Sequence, residues 1–213
     1  QHLFHPGEHL KAARFTCDTA YDGVTMDRTV CLVGDYMVDV FRATSPDEHL
    51  YDLPLHGPGG VTVDASMQDA PDDWLAARGY AHLTGVRRAD APEVVRATFA
   101  RDDASLLMLQ VAPEGAQVIA AEDPVKSGMA PTSCVISRVR DREATWVSVL
   151  EPFADGPTAT DLEVRPTDAG LQVVVTHADG SDRLAVPADL DGAVVLTRSD
   201  EAEETVAEES ARP

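Results

Sequence analysis

His49, Asp52 and His56 lie within nine residues of one another in the run EHLYDLPLH. Histidine nitrogen and carboxylate oxygen are common ligands of zinc, and the same groups carry protons in acid–base catalysis. The apolar residues between them alternate, however, and alternation predicts an extended strand. On a strand Asp52 and His56 share a face but stand about 13 Å apart along it, while His49 points the other way. No metal site is expected here, since only a bulge at Pro54 would gather the three. His56 is a candidate for proton transfer or substrate contact, and Tyr51 for substrate contact.

A second constellation is RGYAHL, where Tyr80 and His82 fall on one face if the segment is extended. A phenol beside an imidazole can present an acid or base and a hydrogen bond to a sugar, and the same spacing serves amphipathic packing. His5 and His9 have helical spacing, but Pro6 and Gly7 intervene and no glutamate completes a zinc-protease pattern. The glycines of HGPGG, Gly57, Gly59 and Gly60, lack the lysine and following helix of a phosphate-cradling loop and are read as a plain loop.

The third feature is Asp39, an acid inside the apolar run MVDVF. A buried carboxylate without a partner costs several kcal/mol, roughly, so Asp39 is either functional or paired. If Gly34 and Asp35 form a two-residue type II′ turn, Val33 pairs with Tyr36, Leu32 with Met37, Val30 with Asp39, Arg28 with Phe41 and Asp27 with Arg42. Arg28 then lies diagonally beside Asp39, and Asp27 faces Arg42 on the other side of the sheet. Two structural ion pairs, Arg28–Asp39 and Asp27–Arg42, are expected.

The elements that must position these residues are strands. Period-two alternation recurs along almost the whole chain, from HLKAARFTC through TMDRTVCLV and YMVDVFRAT to LQVVVTH and AVVLTR, with turn residues between. The expectation is an all-β fold, a large antiparallel multi-sheet β-sandwich of the supersandwich kind, over residues 1–198. Pro71–Gly79, PDDWLAARG, is the best helical or irregular segment. The acidic stretch from Ser199 to Pro213 lacks aromatics and is expected to be a disordered tail.

Composition excludes some partners. With 37 acidic against 17 basic residues, the formal charge of −20 opposes nucleic acid and anionic lipid. No apolar run reaches the roughly 18–20 residues that span a bilayer, so neither nucleic acid nor membrane is an expected partner. Cys17, Cys31 and Cys134 show no CxxC spacing, which indicates neither a zinc site nor a disulfide framework, and the compartment stays open. The chain starts at Gln1 without a leader pattern and is read as a processed chain or fragment.

The segment from Ala20 to Gly59, AYDGVTMDRTVCLVGDYMVDVFRATSPDEHLYDLPLHGPG, followed by RGYAHL and SRVRDREATWVSVLEP, resembles the C-terminal half of heparinase II/III-like polysaccharide lyases, and within them the oligoalginate lyases. The resemblance spans Ala20–Pro152. It implies the β-sandwich part of an enzyme that cleaves uronate-containing polysaccharide or oligosaccharide, alginate-like or heparin-like, by β-elimination. It also implies an N-terminal α/α toroid of the same protein as partner, and zinc held by residues outside this chain, with no cofactor expected within it. The chain alone is then expected to be inactive. A stand-alone carbohydrate-binding or structural sandwich is the alternative.

Overall fold

The computed structural model describes residues 2–70, 79–123, 132–190, 192–199 and 204–206. Every regular element among them is a β-strand. The first sheet is built from β1 (Leu3–Pro6), β2 (Leu10–Cys17), β3 (Thr25–Val33), β4 (Tyr36–Pro58), β5 (Gly60–Val63), β6 (Gln68–Asp69), β7 (Thr84–Asp90), β8 (Val95–Arg101), β9 (Ala104–Val111), β10 (Gln117–Asp123) and β11 (Thr132–Phe153). The second contains β12 (Ala159–Thr167), β13 (Gly170–His177), β14 (Gly180–Pro187), β15 (Val194–Arg198) and β16 (Glu204–Val206). All pairings are antiparallel, and the second sheet runs in simple meander order.

The axis of the first sheet is the ladder between β4, 23 residues long, and β11, 22 residues long. The chain stays extended through Ser45–Glu48, where four residues of β4 oppose the single residue Arg142 of β11. This large bulge shifts the register by an odd number, three. Odd-numbered residues of β4 therefore keep one face throughout, while β11 exchanges even for odd. Trp146 beyond the bulge and Ser137 before it consequently share a face, and the indole Nε1 donates to Ser137 Oγ at 2.9 Å.

Beyond the bulge each half of the ladder acquires its own neighbours. The half containing Met37–Thr44 and Glu143–Leu150 joins β3 on one side and β9 on the other. The half containing His49–Pro58 and Thr132–Asp141 joins β10, which continues to β7 and β6. Only Gly59 separates β4 from β5; its φ is +77°, and a Cβ there would lie 1.9 Å from the Ala100 carbonyl oxygen. The HGPGG segment read as a loop is thus mostly strand.

The β3–β4 hairpin has the register that its turn dictates, with Val33 opposite Tyr36, Val30 opposite Asp39, Arg28 opposite Phe41 and Asp27 opposite Arg42. Gly34 takes a φ of +54° and Asp35 no positive φ, the type II′ pattern. One face of this hairpin, with Leu10, Ala12, Cys31, Val33, Val38 and Val40, packs on Leu162, Val173, Val175, Leu184, Val186 and Leu196 of the second sheet. This is the main core.

Buried polar groups tie the two sheets together. Arg14, 1% exposed, donates to both Asp27 oxygens at 3.0 and 2.6 Å and to the carbonyls of Pro187, Ala188 and Asp189 at 3.1, 3.4 and 2.8 Å. Arg42 adds bonds to Asp27 at 3.3 Å and to the Pro187 carbonyl at 3.2 Å. The expected Asp27–Arg42 pair is therefore part of a triad whose shorter bonds come from Arg14. Elsewhere Tyr36 donates to Asp182 at 2.6 Å, and Glu151 accepts from the backbone of Thr158 and Ala159.

Two further expectations meet the structure at its margins. The 71–78 part of the proposed helical segment lies outside the described residues. Within the tail expected to be disordered, Glu204–Val206 forms a short strand on β15, with Val206 opposite Val194.

Arg14→Met should destabilise the fold by about 3–5 kcal/mol, because it leaves the partly buried Asp27 short of charge and removes the Arg14 bonds to the 187–189 carbonyls. Denaturant unfolding measures this, and a loss below about 1 kcal/mol would show that Arg42 alone holds the loop.

Candidate functional site

The outer face of the hairpin, away from the second sheet, carries Arg28, Val30, Leu32, Met37, Asp39 and Phe41, and it continues over β11 with Trp146 and Ser148. Tyr51 and Leu53, odd-numbered in β4 like Phe41, continue this same surface past the bulge. Phe41 and Tyr51 rings lie 5.9 and 6.5 Å from Trp146, the second edge-on. Together with Tyr21, His49, Asp52 and Tyr80 they line a groove of about 720 Å³ with an aromatic floor. Further out on this face Phe4, Phe15 and Leu32 are exposed.

Two ion networks border the groove. Arg28 Nε and Nη2 bind the two oxygens of Asp39 at 2.9 and 2.7 Å. Asp39 is 6% exposed and Arg28 40%. The bond to Asp39 raises the Arg28 pKa further, so the guanidinium is fixed as a cation. In the second network Arg138, directly across from Asp52, donates to its two oxygens at 2.6 and 2.8 Å. Tyr80 donates to the same carboxylate at 2.5 Å, with its ring under the Arg138 guanidinium at 5.6 Å.

Tyr80 and His82 do not share a strand face. Gly79, at a φ of +102°, leads into a turn at Tyr80–His82 that precedes β7. Within this turn Tyr80 reaches Asp52 while His82 reaches Asp123 at 3.7 Å. His56 also binds Asp123, through Nδ1 at 2.9 Å, and places Nε2 3.7 Å from Cys134 Sγ. Asp52 and His56 share a face, as the strand period requires, but serve different partners. Among the described residues no set of three His, Cys, Asp or Glu side chains is arranged to hold a metal.

The electrostatics restrict what these groups can do. Burial, then the bond to Asp52, pushes the Tyr80 phenol up to about 12, so it donates hydrogen bonds at neutral pH and does not accept a proton. Burial, reinforced by Asp123 and Asp52, likewise pushes the Cys134 thiol up to about 12. Its contact with His56 is accordingly not an activated nucleophile. Sequence reasoning missed Trp146, Phe41 and Arg138. Their alternation announced only packing, whereas the β4–β11 register sets Trp146 opposite Phe41 and Arg138 opposite Asp52.

Comparison with known proteins adds the fold's relatives. No family model matches the chain, and no curated protein matches it. Among solved structures, a heparinase III with methylated lysines superposes with a TM-score of 0.58 at 12% identity, covering 87% of this chain and 26% of that one. The heparan sulfate lyase HepC from Pedobacter heparinus gives 0.56 at 16% identity, covering 87% and 27%. The chain shares the fold of a β-sandwich portion of these lyases. It spans about a quarter of their length.

The two ion networks make separate predictions. Arg28→Met strands a buried carboxylate and should cost about 3–5 kcal/mol, whereas Asp39→Asn leaves a half-exposed guanidinium that recovers water, at roughly 1–2 kcal/mol. The double variant should recover part of the larger loss. Equal effects in a denaturant double-mutant cycle would contradict the burial asymmetry. For the thiols, burial also pushes Cys31 up to about 12, while the Thr19 hydrogen bonds hold Cys17 below its ordinary value. At neutral pH an alkylating reagent should label Cys17 and spare Cys31 and Cys134. Labelling of Cys134 as fast as Cys17 would instead mark a reactive Cys134–His56 pair.

Proposed function

We propose that this chain is the β-sandwich part of a lyase that cleaves uronate-containing polysaccharide or oligosaccharide by β-elimination, and that the aromatic groove is its saccharide-facing surface. The observation that carries the reading is the likeness over 87% of the chain to a heparinase III and a heparan sulfate lyase. The groove supports it chemically. Aromatic faces stack on sugar rings, and paired guanidinium and carboxylate groups beside them meet hydroxyl and carboxylate substituents.

Elimination requires three acts: neutralising the uronate carboxylate, removing the C5 proton and protonating the leaving oxygen. Arg28 fits the first. Tyr80 fits hydrogen-bond donation, and its raised pKa disfavours it as the base. His56 and His82 are both engaged by Asp123 on the β10 side of the ladder. The base is therefore assigned to the rest of the protein, an N-terminal α/α toroid, for which exposed Phe4, Phe15 and Leu32 offer a packing surface. Any zinc belongs to that remainder as well. Heparan-type polymers stand ahead of alginate as substrates because of the names of the structural neighbours.

The alternative is a non-catalytic carbohydrate-binding sandwich, favoured by the engagement of His56 and His82 with Asp123 and of Tyr80 with Asp52. Ultraviolet absorbance of the new conjugated double bond separates the two. On heparan sulfate, heparin, hyaluronan and alginate, the full product of the gene should turn over at least one polymer, while residues 1–213 alone should give no turnover. Robust turnover by residues 1–213 would refute the division of labour. Saccharide binding without turnover by the full product would establish the binding module instead.

A further inference from the structure

We infer that Arg28 is the oxyanion anchor of the groove and that Asp39 is the residue that positions it. The two arginine–aspartate pairs of the β2–β3–β4 sheet lie on opposite faces and can be compared donor by donor. Arg14, on the inner face, directs all its guanidinium N–H groups to protein acceptors: two to Asp27 and the others to the carbonyls of Pro187, Ala188 and Asp189. That guanidinium is saturated. Arg28, on the outer face, spends Nε and one Nη2 hydrogen on Asp39, and its Nη1 makes no hydrogen bond to any described residue.

A guanidinium has five N–H donors, so three remain on Arg28, along the Nη1–Nη2 edge. That edge has the spacing of a fork for a carboxylate or sulfate ester. Arg28 lines the groove, and its guanidinium carbon lies 6.0 Å from the Phe41 ring centroid. A sugar ring seated on the aromatic floor would thus bring one acidic substituent onto the unused edge.

Asp39 determines how well this works. It is anchored in β4 with neighbours on both sides, Val30 of β3 and Ser148 of β11. Its two bonds hold the guanidinium in one orientation, which lowers the conformational entropy lost when the ligand arrives. They also cancel most of the long-range field of Arg28, and Arg138 likewise balances Asp52. The groove is therefore suited to one oxyanion at contact distance rather than a run of them. This inference rests on the saccharide reading of the groove, and it names the substituent that is read.

Carboxylate and sulfate share the required chemistry, so the test varies both on the sugar. Heparan hexasaccharide, its desulfated form, its carboxyl-reduced form and the doubly stripped form are titrated calorimetrically into residues 1–213. The wild type should lose about tenfold in affinity when whichever group meets Arg28 is removed, the usual worth of a charged hydrogen-bonded contact. Arg28→Lys keeps the charge but lacks the fork; it should bind the intact sugar about tenfold more weakly and should no longer distinguish it from the stripped one. Asp39→Asn leaves Arg28 in place yet unheld, and should retain the discrimination with a weaker affinity. The sugar-side comparisons need no variant, so they stand even if a substitution impairs folding.

Equal binding of the intact and doubly stripped sugars by the wild type would overturn the inference, as would undiminished binding by a folded Arg28→Lys protein or no binding of any sugar. If the full gene product still eliminates uronate polymers under any of these outcomes, only the Arg28 assignment fails. Absence of both elimination and binding would take the lyase reading with it.

Discussion

Most of this molecule depends on the β4–β11 ladder. Two strands of more than twenty residues pair along nearly their whole length, and each half acquires different neighbours. The bulge between the halves makes this possible. Strands this long accumulate twist, and a bulge adds more. With four residues opposing one, the register changes by an odd number and β11 turns its other side to the groove. One half of the ladder can then bury valines against the second sheet on its inner face while its outer face meets the other half at Trp146, Tyr51 and Leu53. The bulge thus shapes the floor of the groove, while Tyr21 and Tyr80 reach it from non-strand segments.

The two faces of the first sheet use the same chemical pair for different ends. Inside, the Arg14–Asp27–Arg42 triad closes on carbonyls of the 187–189 segment and fixes how the second sheet is seated. Burying a charged triad is a weak source of stability but a strong source of specificity here, since five donors must meet acceptors that other packings of the two sheets would not supply. Outside, Arg28 and Asp39 make an equally short pair beside a groove, with one edge of the guanidinium left over.

Much of this was legible in the sequence, for reasons that can be named. The hairpin register followed from Gly34–Asp35 because a two-residue turn leaves no freedom in counting, and the Arg28–Asp39 diagonal came with it. The all-β class followed from alternation. Arg14 was not legible as the hub of its triad, because its carbonyl acceptors lie 173 to 175 residues away and carbonyls have no signature. The continuity of β4 was hidden because Ser45, Pro46 and Asp47 carry turn chemistry, and here they form a bulge instead. Tyr80 and His82 were misplaced because three residues of alternation fit a turn as well as a strand.

The net charge of −20 imposes a last constraint on any acidic ligand. At a distance such a chain repels a polyanion, and several basic residues are already consumed: Arg14 and Arg42 on Asp27, Arg28 on Asp39, Arg138 on Asp52. Recognition cannot then come from a basic field of the kind that gathers a polyanion in solution. It must come from contacts shorter than the Debye length of about 8–10 Å, where a preorganised N–H fork and an aromatic floor act regardless of total charge. Salt weakens the repulsion at long range more than it weakens a half-buried contact. A site of this design keeps its affinity as ionic strength rises, where a basic groove would lose it.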